Sequence, residues 1–175
     1  MIKSEDWVPL AEIARPHGVR GELRLNLYNR DSDVLLAQDE VLVRTKDGEE
    51  HEVSVDGARR ADQAILMKLH SVDGRDRAEE LRGAVVCVRR GDFAPTEDGE
   101  FYACDVVGAA VRAPDGSVLG NVSELRRYPS VDALIIDAAD GGKLWEIPLV
   151  AAFVRSVDVA KGEVLLESIE GIERG

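Results

Sequence analysis

Short apolar segments broken by turn residues run through nearly the whole chain, and they limit what it can fold into. "LRLNL" (23–27) alternates with period two, so Leu23, Leu25 and Leu27 share one face and Arg24 and Asn26 the other. "VLVR" (41–44), "VSV" (53–55), "AILMKL" (64–69) and "AVVCV" (84–88) continue the pattern. Beyond residue 105 come "VVGAAVR", "VLGNVSEL", "ALIID", "VRSVDV" and "EVLLE". Turn signals separate these runs at Lys46-Asp47-Gly48, Pro114-Asp115-Gly116, Asp140-Gly141-Gly142 and Ala160-Lys161-Gly162. Each places a residue that tolerates positive φ between two apolar stretches. Many short strands at near-regular spacing predict an all-β chain of the barrel or sandwich type.

Helix signals are few. "DGRDRAEELRG" (73–83) is the strongest, with Asp73 or Asp76 as cap, Ala78, Leu81 and the Arg82 stem on one face, and Gly83 as terminator. "DSDVLLAQ" (31–38) and Val150 to Val154 are each expected to form a turn or two. "FAPTEDGE" (93–100) joins a proline, a glycine and three acids with no apolar periodicity. It predicts a first domain at 1–94, a linker at 95–100 and a second domain at 101–175. Each part has enough strands for a small barrel, although cores of this size are marginal in isolation.

Composition narrows the function classes. Hydrophobic residues make up 45% and charged residues 32%, as in a folded globular chain. No apolar run approaches the roughly 18 residues of a membrane span. "MIKSEDWVPLAEIA" puts acids where an export signal has a basic region, so a cytoplasmic location is expected. Cys87 lies in a strand-like run and Cys104 beside an acid, with no CxxC spacing, which predicts reduced thiols packed as small hydrophobes. His17, His51 and His70 are scattered, so no metal site is expected. Neither a phosphate-binding glycine loop nor a GxSxG elbow occurs. No catalytic residue and no cofactor are therefore expected, although an acid pair assembled by the fold alone leaves no trace in sequence.

Net charge is −12, divided as −4 over residues 1–94 and −8 over the remainder. Such a chain repels nucleic acid as a whole, because each phosphate contact needs a cation. It suits a basic protein partner by charge complementarity. The acidity is uneven: Arg15, Arg20, Arg24 and Arg30 fall within residues 15–30 against the single acid Glu22. This is either a local basic patch or an ordinary solvated strand face.

Two stretches stand out. In "ARPHGVRGELRL" (14–25), Pro16 fixes φ, while Gly18 and Gly21 permit a sharp turn or a close approach. Arg15, His17 and Arg20 are expected to ride on this constrained loop between two strands. That suits recognition of phosphate or acidic side chains, with a plain two-glycine turn as the simpler alternative. In "EFYACDVVG" (100–108), Phe101 and Tyr102 follow Phe93, so three of the chain's eight aromatics fall within ten residues. They can pack a linker onto a barrel, anchor a protein partner or stack on RNA. The surrounding Glu97, Asp98, Glu100 and Asp105 favour protein over RNA, since RNA-stacking sheets surround their aromatics with cations.

"IARPHGVRGELRL" resembles the N-terminal signature of the RimM family of ribosome maturation factors (16S rRNA processing proteins), in which a strand leads into a Pro-His-Gly-x-x-Gly-Glu loop. The likeness continues through "RDRAEELRGAVVCV", "FYACDVVGAAVRAPDGSVLGNVSEL" and "WEIPLVAAFVRSVDVAKGEVLLESIEGI", the last two similar to a PRC-barrel domain. It implies two small β-barrels, a translation-factor-like N-terminal barrel and a PRC barrel, with one or two short helices. It implies a non-enzymatic assembly factor that binds a basic head protein of the small ribosomal subunit. The expected targets are the immature 30S subunit and its 16S rRNA, met by a monomer with no membrane contact. The family's aromatic pair falls on Phe101 and Tyr102, with Asp105 as a steering acid. From charge, the loop of Arg15, Pro16, His17, Gly18, Arg20 and Gly21 is expected to face rRNA. The sequence departs from the family in Phe101 for the first tyrosine, Ala103 after the pair, Asp105-Val106-Val107-Gly108 for Asp-Leu-x-Gly, and Trp145 before Glu146-Ile147-Pro148. Rival readings are a general RNA-binding β-barrel protein, a hydrolase using paired acids, and a PRC-type module of another complex.

Overall fold

The computed structural model describes all residues from 1 to 175. The chain divides into two compact units, one spanning Lys3–Ala94 and the other Pro95–Gly175 together with Met1–Ile2. No helix is long and apolar enough to cross a membrane.

The first unit is a closed six-stranded barrel. Its strands are β1 (Trp7–His17), β2 (Glu22–Leu27), β3 (Glu40–Arg44), β4 (Glu50–Ala61), β5 (Ala64–Leu69) and β6 (Val85–Arg89). They follow one another round the ring as β1-β2-β5-β4-β3-β6, every pairing antiparallel. β6 closes the ring by pairing with β1 on one side and β3 on the other. The two longest strands carry the bends that closure needs: β1 is irregular at Pro9/Ala11 and Ile13/Arg15, and β4 at Val55/Gly57. The alternation read in "LRLNL" is realised, with Leu23, Leu25 and Leu27 buried in the core. Across the sheet Leu25 meets Ile65 and Leu23 meets Met67, all four fully buried.

The predicted helix forms over a shorter range, as α1 (Gly74–Glu80) with Ala78 buried. Asp73 sits at the cap position without making a cap bond; its carboxylate instead takes the Lys68 ammonium at 3.2 Å. Residues Val34–Ala37 form one 3-10 turn within the stretch expected to do so. The segment after Pro148 turns without becoming a helix, its last link being the bond from Val154 N–H to Val150 O at 2.8 Å.

The second unit holds α2 (Ala103–Val106), β7 (Ala110–Arg112), β8 (Val118–Arg126), β9 (Ala133–Ala138), β10 (Trp145–Pro148), β11 (Val154–Asp158) and β12 (Glu163–Leu166). The sheet order is β10-β9-β8-β7-β12-β11, antiparallel except for the parallel pair β7–β12. No ladder joins β10 to β11, so this barrel is closed by side chains. Trp145 and Ile147 from one edge and Val154 from the other enter a single core with Leu134, Ile136 and Val164. Ile169 and Ile172 of the C-terminal segment pack against it. β10 adds a strand at "WEIP", where Trp145 and Ile147 are buried on either side of exposed Glu146 before Pro148 ends the run.

Both cysteines are free thiols. Cys87 is fully buried on β6, and that burial pushes its thiol above the usual cysteine range. The thiolate is the reactive form. In native protein, a thiol-specific reagent should therefore leave Cys87 unmodified until urea unfolds the chain. Mass spectrometry of the labelled peptide would report this, and rapid native labelling of Cys87 would contradict it.

Candidate functional site

Two surfaces carry the residues singled out in the sequence, one on each unit. On the first, Arg15, Pro16 and His17 are not loop residues: they are the last three of β1, paired with Arg24, Leu23 and Glu22 of β2. The turn proper is Gly18 to Gly21. Pro16 is buried opposite Leu23, which leaves Arg15 and His17 exposed on either side of it. Strand alternation, rather than loop conformation, therefore aims these two side chains outward.

The turn is held from below. The Arg75 guanidinium donates to Gly18 O at 3.3 Å, and that of Arg82 to Ala14 O at 3.0 Å. Gly21 has φ +88 and lies so close to the segment before α1 that an added Cβ would stand 2.1 Å from Val72 O. That carbonyl also accepts from the Lys68 ammonium at 2.5 Å, which fixes its position. Gly18, at φ +66, has no atom near its missing Cβ. Of the two glycines, Gly21 is required by contact and Gly18 only by backbone conformation. Arg15, Arg20 and Arg24 form neither ion pairs nor side-chain hydrogen bonds. Arg30 donates only to the neutral Gln63 at 2.9 Å.

On the second unit, "EFYACDVVG" enters the PRC-like sheet through α2, a single turn that sequence periodicity could not reveal. Phe101 is half-buried against the core of that unit. Tyr102 is half-buried at the N-cap of α2. Its N–H donates to Asp105 Oδ2 at 3.3 Å, and the Asp105 N–H donates back to Tyr102 O at 2.9 Å. Cys104 Sγ lies 3.8 Å from Asp105 Oδ1.

Asp105 is 8% exposed and is the buried charged residue of the protein. Its carboxylate, engaged by the Tyr102 N–H, braces the turn that presents the aromatics. The exposed acids beside the pair are Glu97, Asp98 and Glu100. Downstream, Gly108 N–H donates to Val122 O at 2.7 Å and Asn121 Nδ2 to Gly108 O at 3.1 Å, tying the turn to β8. Trp145 is a core residue, 9% exposed, with the Arg174 guanidinium 4.4 Å from its ring centroid.

No group of three or more His, Cys, Asp or Glu side chains is placed to hold a metal ion. A cavity of about 500 Å³ opens in the first unit between the β3–β4 hairpin and α1, with Val53, Leu69 and Val72 among its apolar lining. Its acids Glu49 and Glu80 pair with His51 and Arg77 at 3.3 and 2.7 Å.

These contacts set distinct costs for substitution. Gly18→Ala should cost about 1 kcal/mol, the ordinary penalty of a left-handed residue. Gly21→Ala adds a backbone collision and should cost about 3 kcal/mol or more. Asp105→Ala removes the brace of α2 and should cost about 1 kcal/mol. Urea titration measures all three, and equal costs at Gly18 and Gly21 would contradict the close contact with Val72.

Comparison with known proteins covers both units. The RimM N-terminal domain model matches residues 8–93, and the RimM PRC barrel domain model matches residues 104–172. The chain is 48% identical over 166 residues to the ribosome maturation factor RimM of Sorangium cellulosum, covering 95% of this chain and 97% of that one. It is 31% identical to the protein of the same name from Pelobacter propionicus, covering 98% of each. Among solved structures, the N-terminal domain of RimM from Thermus thermophilus matches 52% of this chain and 98% of that one, at 23% identity and a TM-score of 0.43. With both domain models matched in order and close relatives aligned along almost their whole length, the chain belongs to the RimM family.

Proposed function

We propose that this protein is a non-enzymatic assembly factor of the small ribosomal subunit, acting as a monomer in the cytoplasm. It binds a basic protein of the 30S head through the PRC-like unit and assists 30S maturation and 16S rRNA processing. Arg15 and His17 at the end of β1, with Arg20 in the turn that follows, face rRNA. The curated relatives are named ribosome maturation factors, which supports the general role.

The observation that carries the finer reading is where charge is left over. Residues 95–175 hold seven basic side chains. Arg112, Arg126, Arg127, Arg155, Lys161 and Arg174 all pair with acids. The surplus on that unit is therefore acidic and suits a basic protein. On the first unit the unpaired side chains include Arg15, Arg20 and Arg24, which suits a polyanion.

Assembly help of this kind needs no bond-making chemistry. A factor that binds an immature head conformation more tightly than the mature one shifts the folding equilibrium by that difference alone, and leaves when the mature state forms. Phe101 and Tyr102 supply the anchor, and the α2 turn orients them.

The test is co-sedimentation with small-subunit precursors from cell extract. The wild-type chain should travel with precursors in preference to mature subunits. Because Phe101 also packs on the core, the informative substitutions are Tyr102→Ala and the milder Phe101→Leu. Each should weaken precursor binding about tenfold, the equivalent of about 1.4 kcal/mol, with a melting temperature close to wild type. Wild-type occupancy in both variants would remove the aromatic pair from the interface. Absence of precursors from the wild-type pull-down would overturn the function itself.

A further inference from the structure

We infer that the outer face of the first barrel carries a linear phosphate-binding row, made by Arg15 on β1, Arg24 on β2 and Arg59 on β4. It rests on the reading of the neighbouring loop as rRNA-facing, and extends that contact from a turn to a track across the sheet.

The strand registers place the row. Arg15 is the direct partner of Arg24, Arg24 of Leu66, and Leu66 of Arg59. Paired residues point to the same face. The inward face is fixed by the buried pairs Leu23–Met67 and Leu25–Ile65. Arg15, Arg24, Leu66 and Arg59 therefore all point outward, on four adjacent strands. Leu66 is only 2% exposed despite this orientation, and it lies between the Arg24 and Arg59 positions. An arginine stem can cover apolar surface while its guanidinium stays in water. Arg24 and Arg59 thus flank an apolar position, with Arg15 one strand further on.

The charges in the row are poorly compensated. Arg15 and Arg24 face each other directly and neither has an ion pair. Like charges in directly opposite positions repel and destabilise a sheet. Arg59 reaches Glu22 only at 3.5 Å, a loose contact. The other acid near the row is Glu12, across from Asn26 at the next outward position. Of the two acids that flank the row, Glu22 pairs with Arg59 and Glu12 pairs with none of the three arginines. A sheet that keeps adjacent unpaired arginines is stabilised by an anion that comes from outside.

The geometry favours an RNA strand over a single phosphate or an acidic peptide. Four strands at about 4.8 Å spacing give a row roughly 14 Å long, more than one phosphate group can occupy. Guanidinium forks suit the bidentate geometry of phosphate oxygens. Arg20 in the turn lies beyond the start of β2, with Glu22 between it and Arg24, so the loop is a second cationic contact beside the track.

The experiment measures binding of the full chain to a fluorescently labelled 20-nucleotide single-stranded RNA of mixed sequence, as a function of salt. The variants are Arg24→Gln with Arg59→Gln for the row, Arg20→Gln for the loop, and Arg155→Gln on the second unit as control. The row variant should bind about tenfold more weakly and its log–log salt slope should fall by about two, one for each lost phosphate contact. Its melting temperature should equal or exceed wild type, since a repulsion is relieved. Arg155→Gln should change nothing. If the row variant binds like wild type while Arg20→Gln is weakened, the row is wrong and the loop reading stands. If both bind like wild type, both fall. If polyglutamate competes as well as unlabelled RNA at equal charge, the surface is one for acidic protein and the RNA assignment is overturned.

Discussion

β6 hydrogen-bonds to β1 along one side and to β3 along the other, and most of what the first unit presents depends on that double pairing. A ring without free edges fixes every register in it, because sliding one strand by a residue would turn its apolar set outward on both sides. Leu23, Leu25, Ile65 and Met67 hold the inward face so firmly that the outward residues have no freedom of position. Arg15, Arg24 and Arg59 are lined up by the same constraint that buries the leucines. The Gly21 contact with Val72 then pins the β1–β2 turn to the segment before α1. Core and surface chemistry are two faces of one register.

The second unit solves the same problem differently. Its sheet ends at β10 and β11 without a ladder between them, and continuity is supplied by Trp145, Ile147 and Val154 meeting in a shared core. The aromatic stretch enters through α2, whose single turn is held by the reciprocal bonds of Tyr102 and Asp105. A short helix of this kind has little stability of its own. It depends on Val106 being buried and on the ties to β8.

Much of this was readable in the sequence, for physical reasons that differ by element. β2 announced itself because one face is buried and the other wet, which writes period two into the residues. β5 and β6 read as apolar runs because they are buried on both faces. α1 is legible through the shared face of Ala78 and Leu81 and the terminating Gly83. Less legible were features that arise from contacts between distant segments. The long β4 hides behind polar residues, since most of its side chains are exposed. The burial of Asp105 could not be read from its acidic neighbours, because a carboxylate that braces its own turn looks in sequence like one that faces solvent. The family pattern did contain a clue, as an acid three residues after an N-cap is the spacing of a capping box. The cross-strand arginine pair was invisible until register was known, nine positions separating Arg15 from Arg24.

The open ends of the second sheet bear on behaviour outside any binding event. An exposed strand edge is a template on which another copy can add its own strand. Here β10 is four residues long and ends in Pro148, which has no N–H to offer, and Arg174 bridges to Trp145. β11 is kinked by an irregularity at Val154/Ser156 and carries Arg155 at that irregularity. Each edge is thus short, charged, kinked or deprived of a donor, which makes it a poor template for a second copy. A side-chain seam thus stands in for a closing ladder without leaving a long flat edge.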